Sequence, residues 1–230
     1  MSAIQAWLQQ LNWQVLLDLV VTVAAALLCI TFHETCHGLA ALWLGDPTAK
    51  DAKRLSLNPL RHVDPAGLFM LAVVKFGWAK PVPINPGNFK HPKLGMALTA
   101  LAGPAGNVLL AWIGLLGFYV AAAAYALTSS AVSNAVLQFF STLAIVSAGL
   151  AVFNLFPVPP LDGSKVLFSV LPDKAYFTLM RYERYGALLL IALLLTGVLS
   201  APLGFLRNGL LNLLDPAARW AYTLTVQIFS

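Results

Sequence analysis

The sequence predicts an all-α integral membrane protein: a three-helix core, one or two further spans, and a small membrane-associated β-hairpin. Three observations predict it. Hydrophobic residues make up 59% of the 230-residue chain and charged residues only 10%, against about 25% in soluble domains. The mean hydropathy is +0.78. Apolar runs over 14–44, 93–126 and 131–156 each exceed the roughly 20 residues that cross a bilayer.

Taken in order, residues 1–12 are uncharged, with Trp7 and Trp13 placed to anchor at a membrane interface. The first helix, 14–44, stops at Gly45-Asp46-Pro47. It does not read as a cleavable signal segment, because it lacks a basic start and is too long. Residues 45–65 are polar and turn-rich. Leu68–Val74 and Phe76–Asn85 are too short to span as helices. They read as a hairpin or re-entrant loop over 68–85. Pro81 and Pro83 remove donors from one edge, while Lys80, Val82 and Ile84 keep theirs to pair with the 68–76 strand. The free edge of that strand would then add an extended segment of another chain.

Helices two and three follow, joined by an uncharged linker near Thr128-Ser129-Ser130. After Pro157-Val158-Pro159-Pro160-Leu161-Asp162-Gly163 come an amphipathic stretch (164–184), a fourth span (185–200) and a C-terminal part (203–229). The last is an interfacial helix, a fifth span, or both. One membrane domain over 1–230 is expected, with its core at 14–163 and peripheral helices at 164–230.

Charge distribution sets the expected orientation. Of the 14 Lys and Arg, 8 lie between Lys50 and Lys93, 4 between Lys165 and Arg184, and none in 1–49 or 94–164. Basic loops stay on the cytoplasmic side of a cell (inner) membrane, which puts 45–93 inside and the N-terminus outside. The +5 net charge is therefore a topology signal, and no nucleic-acid partner is expected. Cys29 and Cys36 lie seven apart on one helix, about 10 Å by helix rise, beyond disulfide reach. They read as small packing residues.

Within the first run stands His33-Glu34-Thr35-Cys36-His37, an HExxH pattern. Residues four apart share a helix face, so the two His can offer imidazoles to one zinc ion, with Glu34 as general base. With 4 His and 2 Glu in the chain, chance would produce the pattern in about 6 of 10,000 such chains. Ionisable groups in a bilayer cost roughly 2.5–3.5 kcal/mol each, so three in five residues need a strong reason. A metal supplies one.

Catalytic zinc normally has three protein ligands. The candidates for the third are Asp162, His62 and His91. Asp162 is favoured, because Pro157, Pro159 and Pro160 unwind the end of helix three and let its carboxylate turn into the bundle. His62 and His91 sit beside Arg61 and Lys90 and read as solvated or loop-capping residues.

The combination of HExxH, Gly103-Pro104-Ala105-Gly106-Asn107 and Asn154-x-x-Pro157-x-Pro159-x-Leu161-Asp162-Gly163, in order on three successive helices, resembles the site-2 protease family of intramembrane zinc metalloproteases. The resemblance covers 30–163. It implies one Zn2+ per chain on His33, His37 and Asp162, Glu34 as the catalytic glutamate, and Asn154 and Asn107 in substrate or oxyanion contact and site support, with an interhelical hydrogen bond as the alternative for each Asn. It implies hydrolysis of a peptide bond in or beside a transmembrane helix of single-span membrane-protein substrates. Larger members carry a PDZ or a cytoplasmic regulatory domain, so a minimal form is expected here. A non-enzymatic zinc transporter or scaffold is the alternative. A transporter should repeat ligands along a path across the membrane, whereas 108–152 holds no charged residue or His. Another membrane zincin acting on soluble substrates would share the chemistry.

Overall fold

The computed structural model describes residues 13–64, 67 and 80–229. Three helices dominate: α1, Trp13–Trp43; then, after a short helix α2 at Thr48–Asp51, α3, Pro92–Thr128; and α4, Ala131–Asn154. With 31, 37 and 24 residues they reach about 46, 55 and 36 Å, each enough to cross a bilayer. The expected spans are therefore present to within a turn. Their limits follow local chemistry. Pro92 opens α3, where the missing N–H costs nothing. Ser129 closes α3 in the left-handed region, φ 49°. The Ser130 hydroxyl caps α4 by accepting from Ser133 N–H at 3.1 Å.

The three spans pack on one another, α3 along both α4 and α1. Ala25, Cys29, Leu110 and Leu143 form the buried core between them, flanked by Phe32, Phe139 and Phe140. Cys29 and Cys36 are both free, as expected of packing residues. Small residues let the backbones approach. A Cβ at Gly114 would lie 2.8 Å from the Ala144 nitrogen on α4. The outward face is apolar, with Val15, Leu19, Val120 and Val132 exposed, as a lipid-facing surface requires.

Beyond α4 the chain runs through α5, Asp162–Ser169, and α6, Asp173–Arg181, then α7, Glu183–Leu195, α8, Ser200–Leu214, and α9, Pro216–Phe229. The expected amphipathic stretch is α5 and α6. The expected fourth span, 185–200, falls mostly on α7, of 13 residues, and α8 follows at 89° to it, so the pair is a broken span or a re-entrant loop. α9, of 14 residues, reaches only about 21 Å. It packs back on α3, where Trp112 donates to the Ala217 carbonyl at 3.3 Å.

The hairpin over 68–85 gains no support. Residues 68–79 lie outside the described residues, and no strand occurs among those described. The donors of 80–85 serve other partners. Lys80 N–H donates to the His62 carbonyl at 2.8 Å, Val82 N–H to Glu34 at 2.9 Å, and Asn85 N–H to Asp46 at 2.7 Å. The segment is an extended strap, and polar groups of α1 and its following loop hold it. Backbone donors must find an acceptor when they are taken from water, and here two of the three acceptors are carboxylates.

Asp46 anchors this strap. Fully buried, its carboxylate accepts from Thr48 N–H at 3.1 Å, Asn85 N–H at 2.7 Å and Asn88 Nδ2 at 2.7 Å. Arg54 donates to the Lys80 carbonyl at 2.6 Å. His62 is buried, with Nε2 donating to the Ser56 carbonyl at 2.8 Å. It is therefore a packing residue of the loop and not the solvated group expected. His91 is exposed at the start of α3.

Candidate functional site

His33 and His37 stand one turn apart on α1, their rings edge to face with centroids 4.5 Å apart. Their Nε2 atoms are 2.9 Å apart, and each lies 3.2 Å from Oδ2 of Asp162. Asp162 reaches them because α5 begins immediately below the end of α4. A Cβ at Gly163 would fall 2.1 Å from the Leu155 carbonyl oxygen, so only glycine lets the chain fold back this closely. Gly103 does the same for α3: a Cβ there would strike the His37 ring at 2.4 Å. Three motifs from three helices thus meet at one point.

Two imidazoles and a carboxylate converging in a buried place must share protons or hold a cation. Two imidazoles and a carboxylate within 4.8 Å could hold a metal, and the donor set is one of those that hold catalytic zinc. The surroundings of the ligands agree. His37 Nδ1 donates to the Thr99 carbonyl at 2.7 Å, which leaves its Nε2 lone pair for a metal. The side-chain amide of Asn107 lies 3.3 Å from His33 Nδ1. An amide can offer oxygen or nitrogen there, and only the oxygen leaves His33 Nε2 free to ligate.

These groups line a cavity of about 190 Å³. Glu34 lines it too, with Oε2 taking the Val82 N–H. Asn154 lines it while one amide N–H donates to Leu150 at 3.0 Å. Asn107 is different: fully buried, it stands behind His33 and does not line the cavity. The other walls are Pro81, Val82 and Ile84 of the strap, Met96, Thr99 and Ala100 of α3, and Lys165. Sequence reasoning missed these. Thr99 acts through a carbonyl, which leaves no side-chain signal. Val82 and Lys165 did leave one: the sole N–H between two prolines, and the sole charge beside Asp162 on α5. Neither His62 nor His91 joins the cluster, so the third place falls to Asp162 among the described residues.

Residues 115–197 match the model of the Peptidase family M50. The Bacillus subtilis (strain 168) protein YwhC, whose name includes zinc metalloprotease, is 38% identical over 175 residues, covering 76% of this chain and 80% of its own. The chain belongs to peptidase family M50. It is a site-2-protease relative, as the three motifs led us to expect, and a membrane zinc metalloendopeptidase. A second relative, Rip2 of Mycolicibacterium smegmatis (strain ATCC 700084 / mc(2)155), whose name also includes zinc metalloprotease, is 29% identical over 188 residues, 79% of this chain and 69% of its own. No solved structure matches the chain. Membership in M50 removes the transporter and scaffold alternative. Several apolar helices and an M50 core make the protein multi-pass and bilayer-embedded.

Proposed function

We propose that this M50 protein cleaves a peptide bond in or beside the transmembrane helix of single-span membrane proteins, in the manner of regulated intramembrane proteolysis. The observation that carries the reading is the meeting of His33, Glu34, His37 and Asp162 around one cavity near an end of three membrane helices. In this reading His33, His37 and Asp162 hold the zinc, which when bound supplies Lewis-acid activation of water and carbonyl.

The chain's own groups do the rest. Glu34 accepts a proton from the attacking water and passes it to the leaving amine. Its Oε2 is engaged by Val82 N–H at 2.9 Å, so Oε1 is the oxygen that works. Asn154, which lines the cavity and commits one amide N–H to Leu150, offers its other N–H as an oxyanion donor in this reading. Asn107 orients His33 and does not touch substrate. A helical substrate hides its carbonyls in its own hydrogen bonds, so it must unwind locally before it can enter. One membrane domain over 1–230 suffices for these steps.

Glu34→Gln tests the reading. Cleavage of a single-span model substrate should fall about 10²–10⁴-fold, while zinc per chain stays at the wild-type level. Wild-type turnover by Glu34→Gln would end the proposal. A substrate trapped by this variant would name the physiological target.

A further inference from the structure

We propose that Lys165 is a catalytic residue, donating from its ammonium to the scissile carbonyl oxygen as negative charge builds there; this rests on the protease reading above. Asp162 and Lys165 lie three apart on α5 and so share a face. Lys165 Nζ stands 3.8 Å from Asp162 Oδ1, with its side chain 25% exposed. That distance allows ionic attraction but is too long for a hydrogen bond. Among the described residues Nζ has no hydrogen-bond acceptor, so its three N–H donors are uncommitted.

Lys93 shows the contrast. Its ammonium donates to the Leu171 carbonyl and to Asp173 at 2.9 Å, and it acts as a fastener between α3 and α6. Lys165 instead lines the cavity that Glu34 and Asn154 line. A cation needed only to balance Asp162 would close to hydrogen-bond distance. One held short of it, with free donors beside the base, is placed for an oxygen that becomes negative during reaction.

A peptide carbonyl is neutral before attack, so this contact strengthens mainly in the transition state. It should therefore act on kcat more than on KM. The half-enclosed cavity raises its worth, because water there screens less than in bulk.

The test uses the purified full chain with a single-span model substrate. Lys165→Met keeps the length of the side chain and removes charge and donors; Lys165→Arg keeps both. Three quantities are read: zinc per chain, substrate Kd in a Glu34→Gln background, and kcat with KM. Lys165→Met should lower kcat about 10²–10³-fold, with zinc, Kd and KM within about threefold of wild type. Lys165→Arg should recover at least about tenfold of that loss.

A kcat within about threefold of wild type in Lys165→Met overturns the proposal. So does a loss that tracks lost zinc, which would make Lys165 a support for Asp162. A rise in KM with kcat unchanged overturns it as well, because it would mean ground-state binding. If cleavage does not depend on Glu34 at all, the protease reading itself falls and takes the Lys165 role with it. Glu34-dependent cleavage that is indifferent to Lys165 sinks only the second.

Discussion

Each imidazole of the HExxH pair answers to a partner on α3: His37 to the Thr99 carbonyl and His33 to the Asn107 amide. A metal-binding histidine usually has its other ring nitrogen committed to a second partner, so in our proposal α3 sets the ligand geometry without supplying a ligand. Asp162 of α5 would complete the set, 3.2 Å from both Nε2 atoms. Replacing it should be far costlier than replacing a loop histidine. Asp162→Ala should lower zinc affinity by at least about 100-fold. His62→Ala, which touches Ser56 and Lys80, should keep zinc at the wild-type level. Metal content after dialysis against a graded chelator checks both. Zinc retained in Asp162→Ala and lost in His62→Ala would mean the third ligand is wrongly assigned.

The strap from Lys80 to Asn88 gains its place from Asp46 at the end of α1. Burial opposes ionisation of Asp46, but donors from Thr48, Asn85 and Asn88 more than compensate and lower its carboxyl. A lowered carboxyl contributes stability that is complete above its unfolded value, about 3.9. That contribution is lost as pH falls through the lower folded value. Asp46→Ala leaves several donors without their acceptor and should cost about 1–3 kcal/mol. Thermal unfolding in detergent should show the gap between wild type and variant above pH 4 and its closure in stronger acid. A gap that widens as pH falls would contradict this account. Because Val82 N–H holds Glu34, activity should fall with the strap.

Seen whole, the protein is a bundle of three spans with the metal ligands near one end. The basic residues of 45–93 place that end at the cytoplasmic face in our proposal. After Cys29 and Cys36 are replaced, a single cysteine at Thr128→Cys, the last residue of α3 before the turn to α4, should label in intact cells. One at Asp51→Cys, exposed in the loop after α1, should label only after permeabilisation. The opposite pattern would reverse the orientation and move the site to the outer side.

What the sequence determined by itself was local or periodic. Apolar runs longer than a bilayer is thick placed α1, α3 and α4 to within a turn, because in lipid only a helix satisfies its own backbone. The i, i+4 spacing of His33 and His37 fixed a shared face, and the proline break before Asp162 exposed its carboxylate. Other features depended on contacts distant in the chain. The chain turns between α7 and α8 at Gly197, φ 70°, but the 89° between them is not legible locally, and Leu190 and Leu199 pack there with the distant Leu161. The donors of Lys80, Val82 and Asn85 looked like strand donors, since alternation says which edge an N–H faces but not which acceptor waits there. For Asn107 the sequence left substrate contact and site support open, and the approach of α3 to α1 sets its amide 3.3 Å from His33 Nδ1. Lys165 became a candidate only once its ammonium stood in the cavity with no acceptor. Partners such as Asp46 for Asn85 and Glu34 for Val82, 39 and 48 residues away, are chosen by tertiary approach, and tertiary approach is what small residues such as Gly103 and Gly163 permit.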